Sequence, residues 1–231
     1  MTIRWANIDA FTFDCYGTLI DWQAGIHNAI NGALAQLGRA PMPDAELFRS
    51  YAEAERFEER GVWKPYREVC RNVARTLLGP STPSALWSTL ADSIKDWPAW
   101  PDTVEALRAL KRRGRLVIVS NIDDELFRTT ARKLDVRFDH VVTAEQVRSY
   151  KPGKAHFEEA LKRLDLPAER VLHVAESRFH DIVPAQEMGF PTAWINRSGG
   201  APAASGSADV VADLEVRNMR ELVEAMERGK R

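Results

Sequence analysis

From about residue 98 to the C-terminus, short runs rich in β-branched and apolar residues alternate with amphipathic stretches of helical length. "RLVIVSN", "RVLHVAES" and "PTAWINR" read as strands, and "DTVEALRALKRRG", "DDELFRTTARKLD", "KAHFEEALKRLDL" and "NMRELVEAME" read as helices. "FDHVVTAEQV" and "ADVVA" predict two more short strands, and "DIVPAQEMGF" one more helix. Strands and helices alternating in this way form right-handed βαβ units, which predicts a parallel sheet covered on both faces. The N-terminal "IDAFTFD" adds a short apolar strand that ends on the carboxylate of Asp14.

Between Trp22 and about Trp97 the texture changes. "WQAGIHNAINGALAQLG", "PDAELFRSYAEAERFEERG", "YREVCRNVARTLLG" and "SALWSTLADSI" predict four helices and no strand. The expected architecture is therefore α/β: a Rossmann-like, doubly wound parallel sheet with a small α-helical cap inserted after the first strand. Residues 1–20 and 98–231 would form the core and residues 21–97 the cap. The Ala/Ser/Gly segment from Ser198 to Ser207 reads as a loop within the core.

Composition excludes several classes. With 231 residues, the chain can bury one large core or a medium core with a smaller attachment. A net charge of -1 supplies no field for nucleic acid, and the basic "ERGKR" end reads as a solvated tail. No run reaches the ~18 apolar residues of a membrane span. The N-terminus has no basic-then-apolar leader, so a cytoplasmic location is expected. Cys15 and Cys70 stand in no CxxC pair, which argues against a metal cluster or disulfide framework.

Four predicted strand ends finish on polar groups: Asp14 and Thr18, Ser120 and Asn121, the Lys151 region, and Glu176 with Asp181. Any one of them alone reads as a helix cap or a solvated loop residue. Ligands of open parallel sheets bind outside the carboxyl ends of the strands, so the four together predict a site.

"DCYGTL", "VIVSN", "SYKPGKAHF" and "HVAESRFHDIVPAQEMGFPTAWINR" resemble, in order, the four motifs of the haloacid dehalogenase-like hydrolase superfamily. The likeness spans almost the whole chain. It implies that Asp14 is a nucleophile, held by Thr18 through a hydrogen bond and by Lys151 through charge. The phosphatases of that superfamily carry a second aspartate two residues after the first, which protonates an alkoxide leaving group. Here Tyr16 stands in its place, and a phenol of pKa near 10 is a poor acid for that task. Halide leaves without a proton, and the "D-x-Y-G-T-L" form resembles the L-2-haloacid dehalogenase branch. That resemblance implies attack by Asp14 on a carbon bearing halogen, inversion, an aspartyl ester and its hydrolysis. It further implies a small anionic substrate, with Tyr16, Ser120 and Asn121 contributing to its binding and Arg49 receiving the halide. No cofactor is expected on this reading, and a homodimer is consistent with the resemblance. Phe157 stands where that branch carries a tyrosine.

The fourth motif departs from the branch. "AESRFHD" spaces Glu176 and Asp181 as the phosphatases space their acids, so Asp14, Glu176 and Asp181 could instead hold Mg²⁺ for hydrolysis of a small phosphorylated metabolite. In the other reading Glu176 pairs with Lys151. Ser177 and His180 are further candidates, His180 as a base for water. A non-catalytic binding module on the same fold is a third reading. Trp22, Phe57, Trp63 and Tyr66 are candidates to shape the pocket, and Trp194 reads as core.

Overall fold

The computed structural model describes residues 3–197 and 210–229. Strand β1 (Ala10–Phe13), buried at every position, lies inside a six-stranded sheet. Its neighbours are β2 (Arg115–Ser120) and β4 (Val171–Ala175). Beyond β2 lies β3 (His140–Thr143), and beyond β4 lie β5 (Thr192–Ile195) and β6 (Leu214–Val216). Every pairing is parallel. The chain winds outward from β1 to β3 and restarts at β4 on the other side. The strand order therefore reverses beside β1, and the crevice for a ligand opens at the carboxyl ends of β1 and β4.

Helices on both faces make these strands apolar on both sides. One polar pair interrupts them. Thr12 and His173 are in register on β1 and β4, with Thr12 Oγ1 3.0 Å from His173 Nδ1.

After β1 the chain makes a tight excursion. Ile20 bridges Tyr16 on one side and Ala99 on the other, so the helical insertion leaves and returns at adjacent points. It contains α1 (Trp22–Gln36), α2 (Asp44–Glu58) and α3 (Tyr66–Leu78), where three helices are predicted. The Asp21 carboxylate caps α1 by accepting from the Ala24 N–H. The fourth predicted helix is broken into a 3₁₀ turn (Ser84–Ser88), α4 (Thr89–Ser93) and a second 3₁₀ turn (Ile94–Asp96). Ser88 and Ser93 donate back to the Ala85 and Leu90 carbonyls, which competes with a regular helical ladder. One continuous apolar cluster runs from Phe11 and Phe13 through Ile26, Ile30, Leu47 and Val73, joining insertion to sheet.

The remaining helices are α5 (Thr103–Lys111), α6 (Asp124–Leu134), α7 (Ala144–Val147), α8 (Ala155–Leu164), α9 (Val183–Glu187) and α10 (Met219–Arg228). A π-helical turn, Arg178–Ile182, precedes α9 and carries the acidic motif. The strand predicted at "ADVVA" is displaced: Val210–Ala212 are not strand, and β6 follows at Leu214–Val216. Val210 and Ala212 pack instead on Ile182 and Trp194, so their apolar character reflects burial rather than pairing. The first two residues of that stretch, and the predicted Ser198–Ser207 loop, lie outside the described residues. No helix among the described residues is long and apolar enough to cross a membrane.

Candidate active site

Asp14 directly follows β1, and its N–H donates to the Val174 carbonyl of β4 at 3.1 Å. The sheet ladder thus continues to the carboxylate and fixes its direction. Gly17, at φ +103°, turns the chain so that Thr18 folds back. Thr18 Oγ1 donates to Asp14 Oδ2 at 2.8 Å and accepts from the Glu176 N–H at 2.9 Å. A side chain at residue 17 would also press on Trp22 and Glu176. Arg197 holds the same turn from outside, donating to the Thr18 carbonyl and pairing with Asp102.

Lys151 is buried and uses all three of its N–H groups. It donates to Asp14 Oδ1 (3.0 Å), Asp181 Oδ1 (2.6 Å) and the Val119 carbonyl (3.0 Å). Asn121 clamps the lysine backbone: its Oδ1 accepts from Lys151 N at 2.7 Å and its Nδ2 donates to Lys151 O at 3.2 Å. Asp181 also accepts from His173 Nε2 at 3.2 Å. Because an ionised carboxylate only accepts, that ring nitrogen carries a proton.

The charges follow from these contacts. Burial opposes the Lys151 ammonium, yet Asp14 and Asp181 more than offset it and hold it above the ordinary lysine range. Burial likewise opposes the Asp181 charge, but Lys151 and His173 bring its carboxyl down to about 2. Asp14 shares that one ammonium, and burial, reinforced by Asp181, leaves its carboxyl above the usual value. Asp14 is thus the more basic of the two acids.

A cavity of about 90 Å³ opens over Asp14. A single water needs only about 10–15 Å³ of such space, so a small organic molecule fits. Tyr16, Ser120, Glu176, Ser177 and His180 line it, as do Trp22 and Tyr66. Tyr16 is tied by its hydroxyl to Thr130 at 2.8 Å, and burial pushes its phenol well above 10. Burial also lowers His180, to about 4, so its ring is neutral at pH 7. Ser177 Oγ accepts from His180 N and lies 3.1 Å from its Nδ1.

Some expected residues do not join the site. Arg49 is exposed on α2 and does not line the cavity. At about 100° per residue, it sits about a quarter turn from the stripe of Tyr51, Ala52, Glu55 and Glu59 that does. Phe57 is exposed, and Trp63 lies under Arg148 outside the cavity. The expected Glu176–Lys151 pair does not form, because the three lysine donors go elsewhere. Phe157 is buried edge-on against His173, and Trp194 is core and donates to the Glu176 carbonyl.

Sequence reasoning missed His173, Thr12, Glu55 and Glu59, and the cavity-lining Tyr51, Ala52 and Trp97. His173 and Thr12 were detectable as polar positions inside apolar strands. Glu55 and Glu59, one turn apart, cannot be told by sequence from a solvated helix face. As for Mg²⁺, no three His, Cys, Asp or Glu side chains among the described residues converge to hold a cation, and Lys151 lies between Asp14 and Asp181. The donor set does not fit a resident divalent ion.

The chain as a whole is similar to several known proteins. An (S)-2-haloacid dehalogenase of Pseudomonas sp. (strain YL) is 28% identical over 233 residues, covering 95% of each chain. Haloacetate dehalogenase H-2 of Moraxella sp. (strain B) is 27% identical, covering 84% of this chain and 88% of its own. The structure of L-2-haloacid dehalogenase from Xanthobacter autotrophicus superposes with TM-score 0.80 at 19% identity, over 95% of this chain and 98% of that one, a likeness of fold. The family model for haloacid dehalogenase-like hydrolase matches residues 8–189, the span from β1 through the acidic turn, and the chain belongs to that family of hydrolases.

Proposed function

We propose that this hydrolase removes halide from a short 2-haloacid, with Asp14 as nucleophile and no cofactor. The observation that carries the reading is Tyr16: where the leaving group would need an acid, the side chain is a buried phenol already bonded to Thr130. An alkoxide would leave without a proton there, which is unfavourable, whereas halide needs none. The names of the curated relatives support the same chemistry.

In the first step a carboxylate oxygen of Asp14 forms a bond to the carbon bearing halogen, and the halide departs with the bonding pair. Lys151 and Thr18 hold the carboxylate in line, and its raised basicity favours attack. Ser120 lines the cavity at the end of β2, and its hydroxyl would bind the acid group of the substrate. In the second step water adds to the ester carbonyl, releases the hydroxy acid and restores the Asp14 carboxylate. His180 is the base for that water. Its ring is neutral at pH 7 and so has one nitrogen with a lone pair to take the proton. The helical insertion serves as a cap over the substrate, enclosed as in the division of residues 21–97 from the core.

The test is chloride release from (S)-2-chloropropionate, followed by intact-protein mass spectrometry. The wild type should release chloride, and Asp14→Asn should lose at least about 10³-fold in rate. His180→Gln should accumulate the 1-carboxyethyl ester of Asp14, chloride having already been released. Turnover of p-nitrophenyl phosphate with Mg²⁺ and no release of chloride from any 2-haloacid would overturn the reading.

A further inference from the structure

A second cavity, of about 150 Å³, adjoins the one over Asp14. The two share Glu59, Lys151 and His180 as walls, so the partition between them includes the lysine that holds the nucleophile. Arg56, Arg60, Tyr150, Pro152 and Phe179 complete the second cavity. The displacement chemistry uses neither arginine.

Those two arginines are the uncommitted charges of the region. Arg56 is half-buried on α2, and its Nε donates back to the Ala52 carbonyl at 3.1 Å, which anchors the guanidinium by one corner. Arg60 is exposed just past the end of the same helix. Neither pairs with a carboxylate among the described residues, and the adjacent Glu58 is taken by Lys64. Glu59 does not cancel them. Its carboxyl accepts from Asn121 at 3.5 Å, and burial, reinforced by Glu55, pushes it well above the usual carboxylate range, toward the neutral form. The charge of Arg56 is felt at the His180 ring, on the shared wall.

Like charges four residues apart on a helix repel, and an anion between them relieves that repulsion. A guanidinium also presents paired N–H groups that match a carboxylate. The acid group next to the reacting carbon has to stay in the cavity over Asp14, one bond from the atom that is attacked. The arginines of the adjoining cavity therefore meet a group farther along the substrate.

We propose that Arg56 and Arg60 form a subsite for a second acidic group, so that the preferred substrate is a small halogenated dicarboxylic acid. The proposal rests on the displacement reading above for the halogen, but the subsite itself is a binding claim and can be tested without turnover.

Succinate and glutarate are propionate and butyrate with one carboxylate added, and none of the four has a halogen to lose. Each is titrated by calorimetry against the wild-type protein at constant ionic strength. At least one dicarboxylate should bind about tenfold more tightly than its parent acid, the worth of one charge-assisted contact. Arg56→Gln and Arg60→Gln should each narrow that margin. Arg71→Gln, which removes an exposed arginine beside Trp87 on α3, should leave it as it is. The same margin should appear in kcat/KM for 2-chloroglutarate over 2-chlorobutyrate. A dicarboxylate that binds no more tightly than its parent in both pairs overturns the subsite. So does a margin that survives both arginine substitutions, or one that shrinks as much in Arg71→Gln. Chloride release from 2-chlorobutyrate without any margin leaves the displacement reading standing and removes only the subsite. A margin that is lost in the Arg56 and Arg60 variants, with no chloride released from any of the chloroacids, keeps the subsite and removes the displacement reading.

Discussion

Asp14 is held by two opposing influences, and their balance is measurable. Burial raises its carboxyl and Lys151 lowers it, with burial the larger. The folded carboxyl then titrates above the unfolded one, so over that interval the native state binds more protons and stability falls as pH rises. Asp14→Asn removes this penalty. The same change takes from Lys151 one of its two anions, so the readout is the pH dependence and not the melting temperature at one pH: the fall of stability with rising pH should be shallower in the variant than in wild type. Asp181 has the opposite sign. Its carboxyl is held at about 2, so its contribution is complete above the unfolded value near 3.8 and is lost only as pH falls toward 2. Asp181→Asn leaves a buried ammonium with one charged partner and His173 without its acceptor, and should cost on the order of 3–5 kcal/mol at pH 7. Urea denaturation from pH 8 to pH 2 would measure both effects; a cost for Asp181→Asn as large at pH 2 as at pH 7 would contradict the sign.

Helix α1 carries two glycines whose sequence context is alike and whose surroundings are not. A Cβ at Gly25 would lie 2.3 Å from the Trp97 ring, whereas one at Gly32 meets nothing within 4 Å. Alanine gains about 1 kcal/mol of helix propensity at either place. At Gly32 that gain stands, and Gly32→Ala should raise the melting temperature. At Gly25 the rigid indole has to move, overpacking costs about 1–3 kcal/mol, and Gly25→Ala should lower it. Equal shifts for the two variants would mean that α1 does not pack on Trp97. The same logic explains the fourth predicted helix of the insertion. Its periodicity was sound, but two serines turned back on the backbone and divided it.

At the scale of the molecule, the insertion is tied to the sheet side by a charge as well as by apolar contact. Helix α3 has no cap of its own, and the Asp123 carboxylate, following β2, accepts from both Tyr66 N and Arg67 N at 2.8 Å. Asp123→Ala should cost about 1–2 kcal/mol. Because Tyr66 bonds Glu55 and lines the cavity, it should also raise KM for 2-chloropropionate more than it lowers kcat. A loss of stability with KM unchanged would confine Asp123 to a purely structural role.

How much of this was written in the chain varies with the range of the interaction. The parallel sheet, the insertion after β1 and the polar ends of the strands follow from short-range periodicity and from where apolar runs stop, and the sequence alone determined them. Asp14, Thr18, Lys151 and Asp181 were legible because each sits at such an end, and the topology gathers those ends on one edge. Tertiary packing alone decided which face of α2 meets the cavity, and thereby put Glu55 and Glu59 inside and Arg49 outside. It also decided that one ammonium would be divided between two aspartates, with His173 favouring one of them. The reason is physical: a helix pattern defines faces but not the neighbour each face will meet, and a carboxylate takes its charge state from that neighbour and from the water it loses.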